Sequence, residues 1–116
     1  MIALGVLKLT WWRDRAWITL PCRNPYVQLL AGKRKGVIVT LVIDASECRE
    51  ENAKRFHNTT TSYIATIAKA RRSDGLYWYK IVVPLSISRM LLPVKDCVKV
   101  EVFIEPVIHE KVKVTK

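Results

Sequence analysis

Glycine is scarce in this chain of 116 residues: four occur, too few and too scattered for a Gly-rich loop that cradles phosphate. Histidine is scarcer. His57 lies in a polar stretch and His109 near the end of the sequence, neither at a ligand spacing from another metal-binding side chain. Cys22, Cys48 and Cys97 are odd in number, and none lies two to four residues from another. This excludes a zinc knuckle and implies no disulfide framework, so Cys22 and Cys97 read as small half-buried apolar residues. Long apolar runs are absent too: residues 36–43 fall far short of the roughly 20 needed to cross a bilayer. Residues 1–7 lack the basic n-region and cleavage site of a signal peptide, so a cytoplasmic protein without membrane partners is expected. Glu50-Glu51 is a surface pair and not an acid–base couple. No enzyme, catalytic residue, metal site or cofactor is expected.

Acidic residues are outnumbered two to one. Twenty Lys and Arg against ten Asp and Glu give a net charge of +10. On a small domain such an excess favours a polyanionic partner, because each neutralised phosphate releases condensed counterions. A basic surface kept for solubility is the alternative. Nucleic acid is the better reading because the basic residues cluster, sit at turns and have aromatics among them. Half of the residues are hydrophobic, with valine, isoleucine and aromatics in short runs, as in a folded, strand-rich protein. Few glutamines beside abundant Arg, Lys, Val and Ile would suit a thermophile.

The stretch 79–105 reads strand, proline turn, short helix, basic turn, strand. Residues 17–43 read the same way. Setting Pro21 on Pro84, an offset of 63, aligns Ile18 with Ile81, Leu20 with Val83, Val37 with Val100, Val39 with Val102 and Leu41 with Ile104. This is read as an internal duplication. In the first half, residues 5–12 and 15–20 form a hairpin turning at Arg13-Asp14. Asn24-Pro25 caps a helix over 25–31, Gly32 follows it, Lys33-Arg34-Lys35 make a solvated turn, and 37–43 is a central strand. Residues 44–61 are the connector, holding much of the acidic charge and a helical turn or two capped near Ser46. In the second half, 62–70 and 76–83 form a hairpin with a longer tip at 71–75. Ser86 caps a helix over 86–91 stopped by Pro93, and 97–105 is the last strand. Residues 107–116 are a basic tail that adds an edge strand or frays.

Val83-Pro84, a short helix with Arg89, Lys95-Asp96 and Val100-Glu101-Val102 together resemble the AbrB/SpoVT/MazE swapped-hairpin family. The resemblance covers 62–106, with a weaker copy over 5–43. Two departures stand out. The family's Gly-Arg at the hairpin return is missing from both halves, and its Leu-Gly after the helix is Leu91-Leu92-Pro93 here. In that family two short chains intertwine into one barrel. Two copies in one chain therefore imply a mainly β fold with short helices, a pseudo-two-fold swapped-hairpin barrel, monomeric or dimeric.

The resemblance also implies binding of double-stranded DNA, as a transcriptional regulator or nucleoid-associated protein. Carried over by position, the contacts come from Lys8, Arg13, Arg15 and Arg23 in the first half. In the second half they come from Lys69, Arg71, Arg72, Lys80 and Arg89. Lys33, Arg34 and Lys35 are the densest basic run and are equally suited to extending that face or to solvation alone. Arginine suits the task because its planar fork grips phosphate bidentately. A ribosome-associated or other RNA-binding protein is the alternative, with 112–116 as a working tail. An antitoxin-like protein-interaction module comes third. Trp11, Trp12, Trp17, Tyr77, Trp78 and Tyr79 are read chiefly as core and cross-strand residues, the other possibility being stacking on unpaired bases.

Overall fold

The computed structural model describes residues 1–49 and 51–108. Glu50 and residues 109–116, which include His109 and most of the basic tail expected over 107–116, lie outside the described residues. Among those described, β1 (Ile2–Lys8), β2 (Thr10–Trp12) and β3 (Arg15–Thr19) lead through α1 (Pro25–Leu30) to β4 (Val37–Asp44). After α2 (Glu51–Lys54), β5 (Thr60–Ala65), β6 (Ala68–Arg71) and β7 (Tyr77–Val82) lead through α3 (Leu85–Leu91) and a 3-10 turn (Leu92–Val94) to β8 (Lys99–Pro106).

The protein is mainly β, and its strands form two four-stranded antiparallel sheets in place of the closed barrel expected. The first sheet has the order β1-β8-β4-β5 and the second β2-β3-β7-β6. The expected continuous strand over 5–12 breaks at Leu9, and that over 62–70 breaks at Thr66-Ile67, because each crosses from one sheet to the other there.

Both sheets read the same from either edge once β1–β4 are exchanged for β5–β8. At the middle of the second sheet Ile18 pairs with Ile81, and at the middle of the first Thr40 pairs with Phe103. Each pair is 63 positions apart, the offset at which the two halves of the sequence align. The second hairpin is longer only at its tip. Two residues separate the paired Trp12 and Arg15, whereas seven separate the corresponding Ala70 and Trp78.

Period-two alternation builds the core. Val37, Val39, Leu41 and Ile43 of β4 and Val100, Val102 and Ile104 of β8 point inward. Ala16 and Ile18 of β3 and Tyr79 and Ile81 of β7 do so in the second sheet, and all belong to one buried cluster. The helices close it with Val27, Leu30 and Leu91. Asn24 caps α1 as expected, accepting from the Tyr26 and Val27 N–H groups at 2.9 and 3.3 Å. The expected Ser86 cap is absent. Pro84 occupies the N-cap of α3 with no side-chain bond, and Ser86 lies inside the first turn. Nor does Ser46 cap a helix: its N–H and Oγ both donate to Asp44 Oδ1, at 3.0 and 2.6 Å, in a turn closing β4.

The cysteine reading needs correction. Cys48, after β4, and Cys97, before β8, form a disulfide with Cα atoms 5.1 Å apart across 49 residues of sequence. Cys22 is the free thiol. Intracellular proteins outside hyperthermophiles rarely keep such a bond, so it pulls against the cytoplasmic expectation unless the cell is of that kind. No helix among the described residues is long and apolar enough to cross a membrane.

Closing a loop of that length restricts the unfolded chain by about 4 kcal/mol in the chain-entropy description. Reductant is therefore expected to lower the denaturant-unfolding free energy of the native protein by about that much, and Cys48→Ala/Cys97→Ala to do the same while abolishing the response to reductant. Asp44 offers a pH test. Its hydrogen bonds from Ser46, with smaller help from His57 and Lys99, hold its carboxyl below the ordinary 3.8. A depressed folded pKa adds stability above the unfolded value, and that contribution is lost as pH falls through the folded one. Asp44→Asn should thus lower the melting temperature at neutral pH, with the gap to the native protein closing below pH 3.8.

Candidate nucleic-acid interface

The outward face of the second sheet is the opposite of a solvated polar face. In β3 the residues facing away from Ala16 and Ile18 are Arg15, Trp17 and Thr19, and in β7 those facing away from Tyr79 and Ile81 are Trp78, Lys80 and Val82. Register extends the set: Thr10 stands beside Trp17 and Trp12 beside Arg15 on β2, while Ala68 stands beside Lys80 and Ala70 beside Trp78 on β6. Three of the four tryptophans therefore share one open surface, with Trp12 63% and Trp78 50% exposed. Trp11 alone turns inward, half-buried, its indole N–H without a hydrogen-bond partner.

Each of the three outward rings has a cation over it. The Arg13 guanidinium lies 5.5 Å from the Trp12 centroid, Lys80 Nζ 5.2 Å from that of Trp17, and the Arg72 guanidinium 4.5 Å from that of Trp78. Because β3 and β7 run antiparallel, the two hairpin tips stand at opposite ends of the sheet. The order Arg13, Trp12, Arg15, Trp17, Lys80, Trp78, Arg72 thus traces a continuous strip from one tip to the other. At its centre is an open groove of about 230 Å³ lined by Trp17, Thr19, Trp78, Lys80 and the small side chains of Ala68 and Ala70. That volume lies below the roughly 300–1,000 Å³ of small-molecule clefts.

Arg13 adopts φ +57 at its two-residue tip. A non-glycine residue there costs about 1–2 kcal/mol, so the side chain is kept at the end of the strip against the local backbone preference.

The other expected contacts fall elsewhere. Arg72 reaches the strip but is also held by Asp74 at 3.1 Å. Lys69 and Arg71 project from the reverse side of β6, where Lys69 covers Tyr77 at 4.6 Å. Arg89 is spent on an ion pair with Asp14 at 3.2 Å, and beside it the buried Ser88 hydroxyl lies 2.8 Å from the Asp14 carbonyl and 3.1 Å from that of Leu85. Together Ser88 and Arg89 hold the first hairpin tip against α3. Arg23 is exposed in the turn leading into α1.

Lys33, Arg34 and Lys35 form a tight turn fixed by Gly36, where a Cβ would meet the Lys33 carbonyl oxygen at 2.8 Å. The Lys35 N–H donates to Thr66 Oγ1 at 2.7 Å, which seats this turn at the corner between β5 and β6. Lys8 stands on the outward face of the first sheet, opposite Lys99 and on a surface that also bears Asp44, Glu101 and Glu105. The two outer faces thus differ in charge. Of the two, the second bears three indoles among its cations and no carboxylate.

The aromatics expected chiefly in the core are the main correction. Only Tyr79 of the six is buried there, with Trp11 half-buried beside it. A signal was present in the sequence: Trp17 shares its parity with Arg15 and Thr19, and Trp78 with Lys80, while Ala16, Ile18 and Ile81 occupy the other parity.

Removing the Ser88 hydroxyl strands a carbonyl, so Ser88→Ala should cost about 1–3 kcal/mol by chemical unfolding. Arg89→Ala, breaking an exposed pair, should cost less than about 1 kcal/mol. No protein-family model, curated protein or solved structure matches the chain.

Proposed function

We propose that this protein binds nucleic acid through the outward face of its second sheet. The observation that carries the reading is the strip of Arg13, Arg15 and Lys80 interleaved with Trp12, Trp17 and Trp78, on a chain of net charge +10. The cations supply phosphate contacts and the rings supply flat apolar surface. Exposed indoles in such number are costly for a free surface, and a partner that covers them relieves that cost. The acidic residues of the opposite sheet favour approach from one side only.

The finer fold reading belongs with this proposal: two swapped hairpins of the AbrB kind, duplicated in one chain. Supporting it, β1 pairs with β8 and β5 with β4, so each half's first strand completes the other half's sheet. Duplex DNA is the second reading of the ligand. It is favoured by the pseudo-dyad of the sheet, which sets Arg13 and Arg15 at one end and Arg72 at the other.

The test is binding of labelled duplex DNA, single-stranded DNA and structured RNA across a salt series. With six or more phosphate contacts, affinity should fall on the order of 10³-fold between about 50 and 200 mM salt. Replacing Arg13, Arg15 and Lys80 together by Gln should weaken binding and flatten the log–log salt slope by about three. Lys8→Gln, on the other sheet, should change little. Equal loss per charge removed on either sheet would mean that net charge alone acts, and the proposal would fall.

A further inference from the structure

We infer that the strip takes a single strand, stacking unpaired bases of DNA or RNA on Trp12, Trp17 and Trp78. This rests on the nucleic-acid reading above and names the form of the ligand. Indoles present their π-faces usefully only to bases whose own faces are free, and in a duplex those faces are stacked at about 3.4 Å rise. Outward positions along one strand are about 6.7 Å apart. Trp12 and Trp17 are diagonal across the β2–β3 pair, and Lys80 intervenes between Trp17 and Trp78. Rings so spaced match separated bases better than a duplex stack.

Arg13, Arg15 and Lys80 alternate with the rings along the same line, as a strand presenting bases and phosphates in turn requires. The floor agrees. Ala68 and Ala70 leave the groove beside Trp78 and Lys80 open, so that a base plane has somewhere to lie. A second copy of this chain is a poor occupant, since it would bring the same cations face to face.

The sharpest test uses indole fluorescence of the full chain, with oligo(dT), oligo(U) and a duplex of equal length and charge as probes. The expected result is quenching by the single strands, at least tenfold tighter binding of them than of the duplex, and loss of about tenfold or more in each of Trp12→Ala and Trp78→Ala. Neither variant should change the salt slope, because no phosphate contact is removed, and Trp78→Phe should restore much of the affinity. Both rings are exposed, so thermal melting should be nearly unchanged. The two single-stranded arms distinguish DNA from RNA as the natural strand.

Duplex binding as tight as single-strand binding, without quenching, or full affinity in both alanine variants, would overturn the single-strand assignment and leave nucleic-acid binding standing. Failure to bind any of the probes, or equal binding of heparin, would overturn the nucleic-acid reading and this inference with it.

Discussion

The antiparallel pairing of β4 with β8 is the constraint on which the remaining structure depends. Its register, from Val37 opposite Pro106 to Asp44 opposite Lys99, turns Val37, Val39, Leu41 and Ile43 to the same side as Val100, Val102 and Ile104. A slip of one residue would send that whole set to solvent and bring Thr40, Glu101 and Glu105 inward. With the register fixed, β1 and β5 can add only at the two edges, and each then leaves its sheet to enter the other. The second sheet is thereby positioned by the first. Its own central pair, Ile18 with Ile81, stands at the same 63-residue relation as Thr40 with Phe103.

Several ties hold the two halves at points the sheets do not reach. Cys48–Cys97 joins the segment after β4 to the one before β8, and Lys99 bonds Glu47 at 3.0 Å beside it. Ser88 and Arg89 of α3 hold the first hairpin tip through Asp14. These ties differ in weight. The disulfide and the buried hydroxyl restrict the chain or satisfy a desolvated carbonyl, whereas the exposed pairs of Arg89 and Lys99 are screened by water.

The outer faces of the two sheets show what remains once the core is satisfied. The first sheet mixes Lys8 and Lys99 with Asp44, Glu101 and Glu105 and with the apolar side chains of Val6, Ile38, Val42, Ile64 and Phe103. The second bears three indoles and their cations. The pseudo-symmetry of the backbone does not extend to this surface: Trp17 and Lys80 occupy equivalent positions, as do Arg15 and Trp78. One half's ring therefore lies where the other half has its charge, and this exchange makes the strip alternate.

Much of the fold was legible from the sequence by itself. The 63-residue offset showed which elements correspond and aligned Ile18 with Ile81, Val37 with Val100, Val39 with Val102 and Leu41 with Ile104, all of which point inward, and Asn24-Pro25 marked the start of α1. These are local signals, carried by side-chain period and capping chemistry within a few residues. Tertiary structure alone decided the rest. Strands 5–12 and 62–70 were broken between two sheets because each has partners in both. Cys48 met Cys97, 49 positions on, because the chain between them folds back, which no spacing rule encodes. Arg89 was drawn from the expected contact set by Asp14, 75 positions away. The parity of Trp12, Trp17 and Trp78 could be read in the chain, but not that their side of the sheet stays open: covering a face depends on which layers pack against it, and only the assembled fold sets that.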